Sequence, residues 1–144
     1  MKNKTALITG ATSGIGRATS RLFAKNGINL ILCGRRQDRL DSLTLELQNQ
    51  TKVHTLNFDV RNKAEVAEQI ESIPKTFSPI DILINNAGNA HGLDTFQDGS
   101  LEDWDAMIDI NVKGLLYVSK AIIPNMIANK NGHIINIGST AGKE

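Results

Sequence analysis

A glycine-rich turn near the amino terminus has the residue types needed to bind a pyrophosphate. The segment TGATSGIG, residues 9–16, lies between an apolar run and a helical pattern. Gly10 can turn the chain sharply, Gly14 lets backbone N–H groups approach an anion, and Gly16 allows close helix packing. The amino end of the helix then faces the anion with its partial positive charge. The expected cofactor-binding residues of this turn are Thr9, Gly10, Thr12, Ser13, Gly14, Ile15 and Gly16.

The same turn excludes one nucleotide-binding class and leaves a simpler interpretation open. A Walker motif needs Gly-Lys-Ser/Thr after its glycines, and no such triplet follows here, so nucleotide hydrolysis is disfavoured. Glycines after a strand can also form a tight loop that binds nothing.

A pair of arginines follows the second apolar run, in the segment LCGRRQDRL at 32–40. Dinucleotide-binding domains that prefer NAD usually place an acid at the end of this strand, where it accepts hydrogen bonds from the ribose hydroxyls. Gly34 stands there instead, and Arg35 and Arg36 suit bidentate recognition of a ribose 2′-phosphate. The sequence therefore predicts NADP as the cofactor. The alternative is that both arginines are solvated residues at the start of a helix.

These segments require a scaffold that brings strand ends together, and the hydrophobic pattern provides one. Short, continuously apolar runs alternate with segments of helical periodicity, which is typical of βαβ units with a buried parallel sheet. Right-handed crossovers then predict an α/β fold, a Rossmann-type doubly wound parallel sheet with strand order 3-2-1-4-5, formed by residues 1–144 as a single domain. The predicted strands are 5–9, 28–33, 53–58, 80–85 and 133–137, and the predicted helices are 14–25, 36–49, 62–73 and 100–124.

Two of the predicted helices carry clear end signals. Asn62 followed by Glu65 resembles a capping box, and Pro74 ends that helix. The longest helix is predicted to open at Ser100 and to break or kink at Pro124.

Composition disfavours several classes of binding partner. The chain has 144 residues, a formal charge of +1 and 4% aromatic residues, so nucleic acid is not an expected partner. No stretch approaches the roughly 18 apolar residues of a membrane span, and no membrane association is expected. Cys33 is the single cysteine, so no internal disulfide is possible, and a cytoplasmic protein is expected. Its place within an apolar strand predicts a core residue. The three histidines lack ligand spacing, so no metal site is expected.

The order of five motifs resembles the amino-terminal part of the short-chain dehydrogenase/reductase family, over essentially the whole chain. Each motif falls in the element where that family carries it. The motifs are TGATSGIG (9–16), Asp59-Val60, NNAG (85–88), Asn111-Val112 and INIGSTAG (135–142).

The resemblance implies further cofactor contacts. Asp59 is expected to accept a hydrogen bond from the adenine amino group while Val60 packs on the ring. The NNAG segment, Asn85 with Asn86, Ala87 and Gly88, is expected to line the cofactor ribose.

The resemblance also implies two catalytic residues. Asn111 would help hold a water connected to bulk solvent, and Ser139 would hydrogen-bond the reacting oxygen of the substrate. The implied activity is NADP-dependent interconversion of a secondary alcohol and its ketone by hydride transfer. The segment that follows NNAG resembles that of NADP-dependent 3-hydroxy acid dehydrogenases, which act on serine, allo-threonine or related small-molecule substrates. A homo-oligomer is expected for the full-length protein.

One family motif does not occur in this sequence. The family's proton donor is a tyrosine in Tyr-x-x-x-Lys, roughly a dozen residues after the serine, whereas the single tyrosine here, Tyr117, has Lys120 three residues on. Tyr117 is therefore predicted to be structural. We expect the domain to be incomplete at its carboxyl end, with strand five poorly covered at Ile134, Ile135 and Ile137. The 144-residue chain alone is expected to aggregate or to bind hydrophobic dyes.

Two alternative functions remain open at this level. The first is a truncated, non-catalytic NADP-binding fragment, which the absent Tyr-x-x-x-Lys favours. The second is an S-adenosylmethionine-dependent methyltransferase, because such enzymes also place glycines after a first strand. The arginine pair and the NNAG turn disfavour the methyltransferase.

Overall fold

A five-stranded parallel sheet forms the centre of the fold in the computed structural model, which describes residues 3–92 and 94–140. The strand order is β3-β2-β1-β4-β5, and every neighbouring pair is parallel, so the predicted topology is confirmed. The strands are β1 (Thr5–Thr9), β2 (Asn29–Gly34), β3 (Val53–Asn57), β4 (Ile82–Asn85) and β5 (His133–Asn136). The helices are α1 (Gly14–Lys25), α2 (Gln37–Leu47), α3 (Lys63–Glu71), α4 (Leu101–Ile108) and α5 (Gly114–Ala128).

Helices cover both faces of the sheet, which explains why its strands read as continuous apolar runs. All five residues of β1 are buried. Ile8 faces one core, which contains Ala24 of α1 and the buried leucines of α2. Leu7 faces the second core beneath α3 and α5. Each fully buried aliphatic side chain contributes about 1.5–3 kcal/mol to folding. The two-sided burial of β1 therefore fixes its carboxyl end, where the glycine turn begins.

The start of α3 confirms the predicted capping residue and links it to a candidate site residue. The Asn62 Oδ1 atom accepts hydrogen bonds from the backbone N–H groups of Ala64 at 3.1 Å and Glu65 at 3.3 Å. The Glu65 carboxylate accepts a hydrogen bond from the Asn62 Nδ2 at 2.8 Å and another from the backbone N–H of Asp59 at 3.2 Å. The helix cap thus holds the turn that carries Asp59.

The predicted long helix is interrupted in a different place from the one expected. Ser100 caps α4 as predicted, with its Oγ accepting from the Asp103 N–H at 3.3 Å. One turn of π-helix at Asp109–Lys113, called the π-turn below, then separates α4 from α5. A break at Pro124, one of the two predicted outcomes, is wrong, because α5 continues through it to Ala128. Proline removes a single helix N–H group, and burial of Ile122 and Met126 on either side outweighs that loss.

Among the described residues, β5 lies at the edge of the sheet and pairs only with β4. Ile134 is 38% exposed, and Ile135 and Ile137 are each 37% exposed, so the expected poor cover of this strand is confirmed. Within the described ranges, no helix combines the length and apolarity required to cross a bilayer.

Candidate functional site

The carboxyl ends of β1 to β4 open into one groove, as expected for ligand sites in open α/β sheets. Ile110, from the π-turn, lies opposite these strand ends in the groove wall. Nine of the residues predicted to bind cofactor line this groove: Gly10, Thr12, Ser13, Arg35, Arg36, Asp59, Val60, Ala87 and Gly88.

The glycines of the first turn have different structural roles. Gly10 has φ +61°, and a Cβ there would lie 2.9 Å from the Asn86 Nδ2 atom and 3.0 Å from the Ala87 Cα. Gly16 is buried at the start of α1, where a Cβ would overlap the carbonyl of Gly10. Gly14 has φ +49°, and a Cβ there would meet nothing within 4 Å, so its backbone faces open space. This arrangement leaves room for a phosphate beside the exposed amino end of α1, and it fits a dinucleotide.

Thr9 and Asn86 join the two loops that form the floor of the groove. The Thr9 Oγ1 atom accepts hydrogen bonds from the backbone N–H groups of Asn86 at 3.0 Å and Ala87 at 2.9 Å. The Asn86 Nδ2 donates to the carbonyls of Thr9 at 3.0 Å and Gly10 at 3.1 Å. Both side chains therefore position the cofactor loops, a role that sequence reasoning did not assign to them. Ile15, on the first turn of α1, is 58% exposed.

The arginines around the groove differ in how they are paired. Arg61 grips the Asp59 carboxylate, with Nη2 to Oδ2 at 2.6 Å. Arg35 lies farther from the same carboxylate, with Nη1 to Oδ2 at 3.7 Å. Arg36 lines the groove and forms no ion pair within the described part of the chain. Arg36 thus places a positive charge in the groove at the end of β2.

The Asp59 carboxylate is held in its ionised form. Burial by itself would raise the pKa of Asp59, but hydrogen bonds from Arg61 and the charges of Arg61 and Arg35 outweigh it and hold the pKa below its ordinary value. The carboxylate at the end of β3 therefore acts as an acceptor at neutral pH.

Cys33, in the groove floor, is fully buried, and burial raises the pKa of its thiol. Its predicted role as a core residue is confirmed.

A second set of contacts forms where β4 and β5 end. The Asn85 side chain is buried, and its Nδ2 donates to the Ser119 Oγ and the Asn136 Oδ1, each at 2.9 Å. This contact ties β4 to β5 and α5. Tyr117, also on α5, packs against the buried core as predicted for a structural residue.

Asn111 lies in the π-turn and holds the loop that follows β4. Its Oδ1 accepts from the backbone N–H of Asn89 at 3.1 Å, and its Nδ2 donates to the Asn89 carbonyl at 2.8 Å. A Cβ on Gly88 would lie 2.6 Å from the Asn111 Oδ1, so a larger residue at 88 would displace the Asn111 side chain. Sequence reasoning gave Asn89 no role, because its backbone contact arises from the π-turn, which periodicity does not indicate.

Ser139 follows β5 on the exposed loop at the same sheet edge and is not among the residues lining the cofactor groove. The last residues of its motif, 141 and 142, lie outside the described residues. The proposed catalytic roles of Ser139 and Asn111 stay predictions.

Comparison with known proteins agrees with this geometry. A family model described as short chain dehydrogenase matches residues 4–144. The chain is 49% identical over 136 residues to an NADP-dependent 3-hydroxy acid dehydrogenase of Shigella flexneri, covering 94% of this chain and 54% of that protein. The chain thus spans about half the length of the curated relatives it matches.

Two solved structures have a closely similar backbone. One is a serine dehydrogenase from Escherichia coli, with 46% identity and a TM-score of 0.90 over 97% of this chain and 64% of that one. The other is a closed form of serine dehydrogenase complexed with NADP+, also with 46% identity and a TM-score of 0.90, covering 97% of this chain and 56% of that one.

Proposed function

Because the chain belongs to the short-chain dehydrogenase family, we propose that its groove binds NADP and that the protein is an oxidoreductase acting on a hydroxyl group. The observation that carries the cofactor proposal is the end of β2. Gly34 stands where an NAD-preferring domain would carry an acid, and Arg36 lines the groove without an ion-pair partner in the described chain. A guanidinium in this position suits the 2′-phosphate that distinguishes NADP from NAD.

Different described residues would contact the pyrophosphate, the adenine and the ribose of NADP. Backbone N–H groups around Ser13 and Gly14 would hold the pyrophosphate at the amino end of α1. Asp59 would accept from the adenine amino group, and Val60 would pack on the ring. Ala87 and Gly88 leave room for the ribose against the backbone. When bound, NADP supplies the acceptor or donor of the hydride.

The proposed substrate is a small 3-hydroxy acid, which the activities named for the relatives support. Ser139 would hydrogen-bond the reacting hydroxyl or carbonyl oxygen, and its place after β5 puts it at the sheet edge where open α/β sheets bind ligands. Asn111 would fix the loop after β4 beside that oxygen and help hold a water.

A second candidate function follows from Tyr117. It is the single tyrosine of the sequence, and it packs against the core, so none of the 144 residues is a tyrosine free to donate a proton to the substrate oxygen. The corresponding proposal is an NADP-binding unit without turnover. Losing a general acid typically slows such reactions about 10²- to 10⁴-fold.

Titration calorimetry with NADP and NAD, followed by an oxidation assay, distinguishes these proposals. The protein that its gene encodes is expected to bind NADP at least tenfold more tightly than NAD, and to reduce NADP in the presence of a 3-hydroxy acid. NADP binding with no reduction of cofactor by any hydroxy acid would favour the non-catalytic unit. Equal affinity for the two cofactors would contradict the assignment of Arg36.

A further inference from the structure

The Asp59 carboxylate at the end of β3 contacts two guanidinium groups, which hold it unequally. The backbone N–H, Nε and Nη2 of Arg61 all donate to it, at 3.0 Å, 3.1 Å and 2.6 Å. The Arg35 Nη1 lies 3.7 Å from the Asp59 Oδ2, a distance that allows attraction between the charges but is too long for a hydrogen bond. Arg35 is therefore drawn toward the carboxylate without being fixed to it.

The backbone places Arg35 and Asp59 side by side in the groove. β2 and β3 are parallel neighbours, and just beyond β3 the Phe58 N–H donates to the Gly34 carbonyl at 3.2 Å. Arg35 and Asp59, the residues that follow these two, both line the cofactor groove, and Arg61 is not among its lining residues. Arg61 thus contacts the carboxylate from a position that does not line the groove, whereas Arg35 contacts it as part of the groove wall.

The Asp59 carboxylate has little acceptor capacity left for a further donor. Its two oxygens offer about four lone-pair positions. Arg61 uses both oxygens, because Oδ1 accepts from its backbone N–H and Nε, and Oδ2 accepts from its Nε and Nη2. The adenine amino group proposed to donate to Asp59 would therefore compete with Arg35 for the remaining capacity.

Arg35 is the more mobile member of its pair with Asp59. The Arg35 side chain is 55% exposed, whereas that of Asp59 is 23% exposed, and the Asp59 backbone N–H is fixed by the Glu65 carboxylate at 3.2 Å. A phosphate monoester carries nearly two negative charges at neutral pH. Such a phosphate attracts a guanidinium more strongly than a carboxylate whose charge Arg61 already neutralises.

We propose that Arg61 is a positioning residue for NADP, because by neutralising Asp59 it leaves Arg35 available to the 2′-phosphate. When the cofactor binds, the adenine amino group takes the remaining acceptor position of Asp59, and Arg35 turns to the phosphate beside Arg36. Arg61 thereby raises the preference for NADP over NAD from a position outside the groove lining. This inference rests on the proposed NADP binding and adds a determinant of specificity to it.

The test measures the ratio of the Kd for NAD to the Kd for NADP by titration calorimetry on the gene-encoded protein. We expect Arg61→Ala to lower this ratio about fivefold, the upper end for a partly exposed ion pair, because Asp59 then holds Arg35 away from the phosphate. A weaker adenine contact affects both cofactors equally and cancels from the ratio. Lys63→Ala is the matched control, since Lys63 lies in the same surface depression as Arg61 but forms no ion pair with Asp59 in the described chain. It should leave the ratio unchanged.

Two double variants identify the residues through which Arg61 acts. In an Arg35→Ala background, Arg61→Ala should leave the ratio unchanged, because the guanidinium that Asp59 would capture is absent. In an Asp59→Asn background, Arg61→Ala should also leave the ratio unchanged, since an uncharged amide does not hold Arg35.

The outcomes separate this role from a purely structural one. Equal loss of NAD and NADP affinity in Arg61→Ala would show that Arg61 supports the adenine contact alone, and would overturn the proposal. A fall in the ratio that persists in either background would overturn it too, because Arg61 would then act without Asp59 and Arg35.

A second variant covers a failure to fold. If circular dichroism and the melting temperature show that Arg61→Ala is unfolded, Arg61→Gln, which keeps a donor and removes the charge, is expected to give the same fall in the ratio. An unchanged ratio in that variant would overturn the proposal. Wild-type protein that binds no NADP would instead overturn the proposed function itself.

Discussion

The ends of β1 to β3 differ from the ends of β4 and β5 in the groups they place at the carboxyl edge of the sheet. At the ends of β1 to β3, glycines bring backbone close to the groove, and arginines supply positive charge. At the ends of β4 and β5, asparagine side chains clamp loop backbone and strands, and the charges are acidic. A dinucleotide offers fixed phosphates that backbone N–H groups can bind, whereas a substrate varies and is recognised by side chains. The chemistry of the cofactor end can therefore be read from its glycines and arginines, whereas the clamping roles of the asparagines at the other end appear only as contacts in the structure.

The largest expected effect tests whether the cofactor end depends on backbone contact. Gly16→Ala adds a Cβ that overlaps the Gly10 carbonyl, so we expect the free energy of unfolding to fall by about 1–3 kcal/mol or more, with loss of NADP binding. Urea denaturation and calorimetry measure the two effects. Gly14→Ala is the matched control, because it meets open space and carries the strain of its positive φ, about 1 kcal/mol. Equal destabilisation by the two changes would contradict the role of close packing at Gly16.

A second prediction concerns the charge at the cofactor end. Arg36→Ala removes a cation that forms no ion pair with the described residues, so we expect NADP affinity to fall about 10- to 100-fold while NAD affinity is unchanged. Arg21→Ala provides the control, since Arg21 pairs with Glu46 and does not line the groove. Fluorescence titration with the reduced cofactors gives both affinities. A parallel loss of NAD and NADP affinity would mean that Arg36 does not recognise the 2′-phosphate.

A smaller effect is expected where the substrate end is clamped. Asn111→Leu removes both hydrogen bonds to the Asn89 backbone, so hydrogen exchange of the Asn89 amide should accelerate by about tenfold, the equivalent of one net hydrogen bond. Exchange followed by mass spectrometry locates the change to the loop. NADP affinity should stay within about twofold, because Asn111 does not line the groove. Faster exchange spread over β1 and β2 would instead indicate a general loss of stability.

The smallest expected effect is a pH dependence at the Asp59–Arg61 pair. The pKa of Asp59 is lower in the folded protein than its ordinary value of about 3.9, so its ionised form stabilises the fold at neutral pH. That contribution is complete above about pH 5 and is lost as the pH falls through the depressed pKa. Arg61→Ala should therefore lower the urea midpoint at pH 7 and have a smaller effect near pH 3. An equal effect at both values would show that the carboxylate charge is not responsible.

Features encoded within a few residues of each other were predictable. The capping of α3 needs Asn62 and its near neighbours, and it is confirmed. The strand order follows from apolar runs and the handedness of crossovers, and it is also confirmed. The interruption of the long helix was misplaced, because Pro124 is a local signal that buried packing overrides. The π-turn has no comparable local signal. It sits where Gly114 contacts Val60, and a Cβ there would lie 2.7 Å from the Val60 Cγ2.

The sequence by itself determined the α/β class, the strand order, the glycine turn and the arginines at the end of β2, because periodicity and turn chemistry act over short stretches of chain. The tertiary structure alone decided which side chains line the groove and which hold a loop. Thr9 looked like a cofactor contact, yet its hydroxyl accepts from the backbone of Asn86, 77 residues away. This contact forms because β1 and β4 are neighbours in the sheet. Residue types and their local spacing do not show that two residues so far apart along the chain are in contact.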